Sequence, residues 1–287
     1  MYALFVDMGT RRFWKHFSVK TFAVVGTLST VYKLLVTWDS GWTWLHSGAA
    51  LVVLGLVAVL TGLAFSWPRP ISKSYAAPKT TVRVVKGNMF DETGHLVIGM
   101  CDTFDTETRF NIIERESLLG QVIAKMYGDE VLDLDAELDK ALGGTAPSGE
   151  LPAEKKGKRA TFEIGTVAPV KQNGRFLFFL SYCRMDVHSN ARATVDDVWK
   201  ALLALWKAVS RDANEKSVSI PVIGGGKARI SQVLPAQDAI RLTILSFMFA
   251  SRSEQVCSEL RIVVQPDVYD QLDRLELQAF LSSLKGS

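Results

Sequence analysis

Ser219–Ile230 reads SIPVIGGGKARI and is the most informative segment of the sequence. Its apolar first half predicts a buried strand, which runs directly into the glycines of Gly224–Gly226. Successive glycines let backbone N–H groups approach a phosphate closely, and Lys227 and Arg229 add positive charge. The pattern therefore indicates either a phosphate-binding loop at the end of a strand or a strand-to-helix turn without a ligand.

Short β-branched or aromatic runs on both sides of this stretch predict further buried strands. They are TTVRVVKGN (80–88), HLVIGMC (95–101), GRFLFFLSYC (174–183) and ELRIVVQ (259–265). Helical patterns alternate with them, at 118–128, 130–142, 194–212, 234–251 and 267–284. Such alternation predicts a three-layer α/β/α domain with a largely parallel or mixed sheet over residues 80–287. The Gly/Pro/Lys-rich segment 143–159 is expected to be a mobile surface loop.

Two apolar segments precede this domain. Residues 48–67 contain no charged side chain and have about the length that a helix needs to cross a bilayer. Residues 19–38 are a second candidate span, in which Lys20 and Lys33 lie close enough to the ends to reach the headgroups. An interfacial or signal-like segment is the alternative, although a second span directly after it disfavours a cleaved signal. The expected fold is therefore an N-terminal two-helix transmembrane hairpin followed by the α/β domain.

The distribution of basic residues predicts the orientation of this hairpin. Basic residues flank both candidate spans, whereas the loop 39–47 between them contains no Lys or Arg. The positive-inside rule then places both termini in the cytoplasm of an inner-membrane protein, with 39–47 as a short periplasmic loop. Residues 1–18 are expected to be a cytoplasmic or interfacial segment, and 68–79 a linker. Gly48, Gly55 and Gly62 recur every seven residues, which favours a helix-contact seam.

Cysteine, histidine and overall charge argue against several classes of site. Cys101, Cys183 and Cys257 are widely spaced and odd in number, so we expect reduced thiols. The four histidines are equally scattered, and no metal site is expected. The formal net charge is only +3, and we expect no nucleic-acid partner.

Two further segments at predicted strand or helix ends have the chemistry of a ligand site, because ligands of α/β sheets bind at the carboxyl ends of strands. Asp102 and Asp105 are able to accept hydrogen bonds from ribose hydroxyls, with Thr103 and Phe104 offering a hydroxyl and a stacking surface. Ordinary turn and helix-cap chemistry is the alternative for these residues. Residues 117–121 open a helix, which is either a simple Ser117 cap or an anion cradle.

Together these motifs resemble the macro domain, the fold known for binding ADP-ribose, from Val82 to about Ser251. Gly87-Asn88-Met89 stands where the family's first strand ends, Gly99–Asp102 resembles its next strand end, and 117–122 and 221–226 are similar to its two phosphate loops. The resemblance implies a ligand site that we list here in full: Gly87, Asn88, Met89, Asp102, Thr103, Phe104, Asp105, Ser117, Leu118, Leu119, Gly120, Gln121, Ile223, Gly224, Gly225, Gly226, Lys227, Ala228 and Arg229.

The departures from the family's motifs bear on catalysis. Asn88 replaces the acid that usually reads adenine, and Asp102 replaces an asparagine that hydrolytic macro domains use. Lys227-Ala228-Arg229 replaces an aromatic lid. The resemblance therefore implies a sensor with no catalytic residues and no cofactor. A membrane-anchored ADP-ribosyl hydrolase and a non-catalytic membrane tether are the alternatives.

The two predicted spans, followed by DTFDT and SLLGQ, make the chain similar to the effector of type II Thoeris anti-phage systems. That resemblance implies a partner protein with a TIR domain, which converts NAD into an ADP-ribose-derived messenger, a histidine conjugate. It further implies that messenger binding drives assembly into a homo-oligomer, which disrupts membrane lipid and kills the infected cell.

Overall fold

The computed structural model describes residues 11–38, 48–65, 70–108, 110, 112–224 and 233–284. The chain forms two compact units. One contains the two N-terminal helices together with Asp273–Glu276, and the other contains the remaining described residues from Pro70 onward.

The N-terminal unit consists of helix α1 (Arg11–Trp38) and helix α2 (Gly48–Phe65), which pack against each other. Gly62 lies at their contact, because a Cβ atom there would collide with Thr21 Oγ1 and lie 3.1 Å from the Phe17 ring. Gly48 and Gly55 face open space instead. Of the three glycines spaced by seven residues, one therefore serves the contact between α1 and α2.

Large apolar side chains point outward on both helices. Seven of them are between 57% and 76% exposed: Val19, Phe22, Leu34, Val52, Val53, Leu56 and Leu60. Over the part of the chain that the structure describes, however, neither helix combines the length and the apolar character that a membrane crossing requires. The helices expected at 19–38 and 48–67 are present over the described residues, but their prediction as membrane spans is without support here. The predicted loop 39–47 and residues 1–10, 66 and 67 lie outside the described residues.

The second unit is built on a mixed sheet. Strand β1 (Ile71–Tyr75) is antiparallel to β2 (Thr80–Lys86), and β2 is followed across the sheet by four parallel neighbours. In spatial order these are β10 (Glu259–Val264), β9 (Val218–Pro221), β3 (His95–Cys101) and β7 (Arg175–Met185). Strand β6 (Val167–Gln172) closes the far edge antiparallel to β7, which also pairs with β8 (Ala191–Arg192).

Helices cover both faces of this sheet. Helices α5 (Val195–Asp212), α6 (Ala236–Ser253) and α8 (Arg274–Ser283) share one apolar core with strand residues such as Val97 and Phe178. Helices α3 (Leu118–Met126) and α4 (Val131–Leu142) share the other with Leu96 and Phe179. Alternate residues of β3 and β7 thus enter opposite cores, as the period of a strand requires. The three-layer α/β/α prediction is confirmed.

The structure corrects three sequence predictions. The predicted linker 68–79 contains β1, which gains a full antiparallel ladder on β2. The segment 143–159, expected to be a mobile loop, forms the short strand β4 (Gly149–Glu150) with β5 (Ala160–Thr161) and carries a fully buried lysine. The last predicted helix is two helices, α7 (Pro266–Tyr269) and α8, because Gln271 and Leu272 form a turn instead of continuing α7.

Candidate functional site

The carboxyl ends of the five parallel strands lie along one edge of the sheet. Gly87 follows β2, Asp102 follows β3 and Val222 follows β9. The Gly87 amide donates to Val264 O (3.0 Å), so a backbone hydrogen bond joins the ends of β2 and β10. A 3₁₀ turn at Met89–Asp91 contacts β9. This edge is where α/β sheets bind their ligands, and the described strand-end residues Gly87, Asp102 and Ile223 lie within two residues of the ends of β2, β3 and β9.

Asp102 is held firmly by the end of β7. Its amide donates to Cys183 O (2.8 Å), and its Oδ1 accepts from the Met185 amide (2.9 Å). Its carbonyl oxygen accepts from the Phe162 amide (2.9 Å). Burial raises the pKa of the carboxyl group above its ordinary value, although the hydrogen bond from the Met185 amide and the positive charge of Arg184 act in the opposite direction. Asp102 therefore stabilises the fold through these hydrogen bonds and also lies at the candidate site.

Asp105 forms a buried ion pair. The Lys155 ammonium lies 2.6 Å from Asp105 Oδ2, and the two side chains are 0% and 2% exposed. The same carboxylate accepts from the amides of Glu107 and Lys158. Gly157, at φ +79°, leaves no room for a Cβ atom beside it. Of the two acids suggested for ribose, Asp105 therefore has its Oδ2 bound by the 143–159 segment and its Oδ1 bound by the Glu107 amide.

Thr103 and Phe104 lie between these two acids. The Phe104 ring is 1% exposed and packs edge-to-face on Phe162, with ring centroids 5.5 Å apart. Its φ of +46° is in the left-handed region, so the chain turns sharply here. The predicted stacking surface is thus part of the core. Thr103 Oγ1 is buried and has no hydrogen-bond partner, which leaves one polar atom of this loop unsatisfied.

The predicted anion cradle at 117–121 is the beginning of α3. Ser117 is its N-cap, with Oγ accepting from the Gly120 amide (3.1 Å). Gly120 is required by close packing, since a Cβ atom would collide with Glu114 O and lie 2.8 Å from Arg115 Cα. By helix geometry the amides of Leu118 and Leu119 have no intrahelical acceptor. Leu119 packs inward, and the Gln121 amide side chain bonds Glu116 O and Lys125.

Some of the remaining predicted site residues are described by the structure, and the others are not. Asn88 caps the 3₁₀ turn by accepting from the Phe90 amide (3.1 Å), and Met89 is buried in the α3/α4 core. Gly87 has open space where a side chain would extend. Ile223 is buried and Gly224 has φ +87°, a conformation that favours glycine. Gly225, Gly226, Lys227, Ala228 and Arg229 lie outside the described residues.

Two thiols meet beneath this edge. Cys101 Sγ and Cys183 Sγ are 3.1 Å apart, at partner positions of β3 and β7. Gly99 makes room for the Tyr182 ring, which lies 2.6 Å from a Cβ atom placed on that glycine. Burial and the neighbouring thiols raise the pKa of the Tyr182 hydroxyl well above its ordinary value. Both cysteines are free thiols, although their wide spacing in the sequence did not predict that the two sulfur atoms lie side by side.

The family follows from the sequence over the same elements. Residues 82–265, from β2 to the end of β10, match the family model described as the macro domain of Thoeris protein ThsA. This chain belongs to that family. Thoeris protein ThsA of Bacillus amyloliquefaciens (strain Y2) is 20% identical over 203 residues, which cover 69% of this chain and 67% of that protein.

Solved macrodomains are similar at low identity. The Oceanobacillus iheyensis macrodomain with ADP is 14% identical, with a TM-score of 0.47 over 73% of this chain and 97% of its own. The Trypanosoma brucei macrodomain in complex with ADP-ribose is 11% identical, with a TM-score of 0.45 over 70% and 71%.

Sequence reasoning missed two features of this ThsA-family site. Lys155 lies in a Gly/Pro/Lys-rich segment with no periodicity, so nothing marked it as the partner of Asp105. The thiol pair did leave a signal, because Cys101 and Cys183 each end a predicted strand. Two parallel strands that end at the same edge bring their last residues together if they are neighbours.

Proposed function

We propose that this chain is a membrane effector of anti-phage defence whose macro domain binds an ADP-ribose-derived messenger and does not cleave it. The observation that carries the proposal is the ThsA macro-domain match over 82–265. The geometry supports it, since the match includes every strand whose carboxyl end forms the candidate edge. The Oceanobacillus iheyensis and Trypanosoma brucei macrodomains described above are bound to ADP and to ADP-ribose.

The messenger in this proposal is histidine–ADP-ribose, made from NAD by a TIR-domain partner. Its phosphates would meet the amides that begin α3, where free N–H groups and the helix dipole favour anions, and the glycine-rich sequence that begins at Gly224. Gly87 leaves the end of β2 open for the approach of the ligand. Because Asp105 is paired with Lys155, Asp102 is the acid left to receive the distal amino-acid group.

A binding role is supported by the way in which Asp102 is held. An acid stands at the position where the resemblance places the asparagine of hydrolytic macro domains, and its Oδ1 is bound to the Met185 amide. A group fixed by the backbone of β7 is suited to positioning a ligand. Release of free ADP-ribose from a modified protein by the purified chain would favour the hydrolase alternative.

The output in this proposal is disruption of the inner membrane by an oligomer. The support is the outward-facing apolar surface of α1 and α2, since exposed apolar patches of this kind mark membrane or protein contacts. A ligand drives such assembly only if it binds the assembled state more tightly than the monomer. Resistance of the chain to extraction from membranes by alkaline carbonate, followed by a change of sedimentation on adding messenger, would support this part.

The test of ligand binding uses the full-length protein in detergent. Saturation at about 100 times the dissociation constant adds about 2.7 kcal/mol of stability, so ADP-ribose and histidine–ADP-ribose should raise the thermal midpoint clearly. Gly87→Val and Gly144→Val form a matched pair, since both glycines have open space around them. Only Gly87→Val, at the proposed ligand edge, should abolish the shift. A shift that survives in Gly87→Val would reject the placement of the site.

A further inference from the structure

Two cysteines that are far apart in sequence lie side by side on neighbouring strands of the sheet. Cys101 is the last residue of β3, and Cys183 is its register partner on β7. Their sulfur atoms are 3.1 Å apart, and the register shifts between Met100 and Cys101. Cys183 Sγ also lies 3.5 Å from Met100 O. The irregularity in the ladder is therefore located where the two thiols meet.

The strand geometry is compatible with a covalent link. Neighbouring strands are about 4.7–4.9 Å apart, which lies within the Cα separation of about 4.4–6.8 Å that disulfides require. Closing the bond to about 2.05 Å moves the sulfur atoms together by roughly 1 Å. A side-chain rotation with a small backbone adjustment supplies a movement of this size.

The two thiols differ in their access to solvent. Cys101 is partly exposed, whereas Cys183 is 2% exposed. The hydrogen bond with Cys101 and burial raise the pKa of the Cys183 thiol well above its ordinary value, so this thiol stays protonated. A small oxidant therefore meets Cys101 first, and Cys183 is placed to react second.

We propose that Cys101 and Cys183 are a reversible oxidation site that closes to an intramolecular disulfide on reaction with hydrogen peroxide. The Cys101 thiolate attacks one peroxide oxygen, the O–O bond breaks, and protonation of the departing hydroxide gives water and a sulfenic acid. Cys183 sulfur then attacks that sulfenic sulfur, and the hydroxyl leaves with the Cys183 proton as a second water. Two thiols are oxidised, and one peroxide is reduced to two waters.

The disulfide would act on the candidate ligand site through Asp102. This residue follows Cys101 directly, and both its amide and its Oδ1 are bonded to the backbone of β7 at Cys183 and Met185. A shift of roughly 1 Å in the sulfur atoms is passed to the first residue of the 102–105 loop. The oxidised protein is therefore expected to bind ADP-ribose about tenfold more weakly, or 1.4 kcal/mol. This consequence, unlike the disulfide itself, rests on the proposed function.

The third cysteine, Cys257, is an internal control for the reaction of this pair. Cys257 is equally buried but lies before β10 in the α5/α6 core, where its sulfur is 3.4 Å from Glu259 O. Trypsin places the three cysteines in separate peptides: 87–109, 176–184 and 253–261. A disulfide between any two of them is therefore identified by the pair of peptides that it joins.

The experiment treats the full-length protein, freed of reductant, with hydrogen peroxide and maps disulfides without reduction. We expect a disulfide between peptides 87–109 and 176–184 in the parent and in Cys257→Ser, and dithiothreitol should reverse it. This disulfide should be absent in Cys183→Ser. Overoxidation of Cys101 without this link, or links formed only between chains, would overturn the proposal.

ADP-ribose titration of the same samples tests the consequence. We expect peroxide to weaken ADP-ribose binding in the parent and in Cys257→Ser, and dithiothreitol to restore it. Binding by Cys183→Ser should not change. Unchanged affinity in a fully linked sample would overturn the coupling to the 102–105 loop. Failure of the reduced protein to bind ADP-ribose would instead count against the proposed function, with the peptide map still deciding the oxidation site.

Discussion

The 102–105 loop and the beginning of α3 were both predicted to bind ligand, but they are held in different ways. In the loop, Asp102 bonds the backbone of β7 and Asp105 pairs with the buried Lys155. At the beginning of α3, one hydroxyl caps the helix and a glycine permits close backbone packing. Acidic side chains at a strand end are thus used largely by the fold, whereas backbone amides at a helix end remain available for an anion.

The largest effect is expected from the ion pair of the loop. Lys155→Met leaves Asp105 buried without its counter-charge, which should lower the free energy of unfolding by about 3 kcal/mol. Urea denaturation measures the loss. Lys156→Met is the matched control, because this neighbouring ammonium is exposed and lies over the Phe110 ring. Equal losses in the two variants would mean that the buried pair has no special role.

A smaller loss is expected at the beginning of α3. Gly120→Ala puts a Cβ atom against the backbone of Glu114 and Arg115, and overpacking of this kind costs about 1–3 kcal/mol. Gly87, another glycine of the predicted site, has open space around it. The free energy of unfolding of Gly87→Ala should therefore stay within about 0.5 kcal/mol of the parent value. The comparison fails if the order of these two denaturation midpoints is reversed.

The hydroxyl cap should contribute less than the glycine. Ser117→Ala removes the acceptor for the Gly120 amide, a change that costs about 1 kcal/mol. Ser117→Asp retains a capping oxygen and should restore most of the loss, as measured by thermal unfolding. A Ser117→Asp variant as unstable as Ser117→Ala would show that the helix does not depend on this cap.

The smallest effect has the opposite sign. Burial raises the pKa of Asp102, so the folded protein holds this proton more tightly than the unfolded chain, and the ionised carboxylate lowers stability at neutral pH. Asp102→Asn keeps an oxygen for the Met185 amide and should raise the thermal midpoint at pH 7. The gain should disappear below the ordinary Asp pKa of 3.8. If the gain in thermal midpoint did not depend on pH, it would not come from the ionisation of Asp102.

Much of the fold was predictable because buried strands carry a strong local pattern. HLVIGMC is β3 without a residue of error, and the predicted strand TTVRVVKGN extends two residues beyond the end of β2. Strand β1, with the sequence ISKSY, was missed because only Ile71 and Tyr75 are fully buried, so its pattern is that of a polar linker. Lys155 was missed because its burial depends on a partner fifty residues earlier in the chain.

The candidate site was predictable only in its location. Strand ends and a helix start are visible in sequence, and the resemblance to the macro domain supplied their order. Whether an acid is free or paired depends on long-range contacts, as Asp105 demonstrates. The ring of Phe104 shows the same for aromatic residues, since its core position against Phe162 follows from packing across two segments.

The most direct test of the account is calorimetric titration of the reduced, full-length protein with ADP-ribose and with histidine–ADP-ribose. We expect saturable binding at one site per chain, with tighter binding of the histidine conjugate. Binding should be lost in Gly87→Val and retained in Gly144→Val. Absence of binding heat with both ligands, in a protein that unfolds cooperatively, would contradict it.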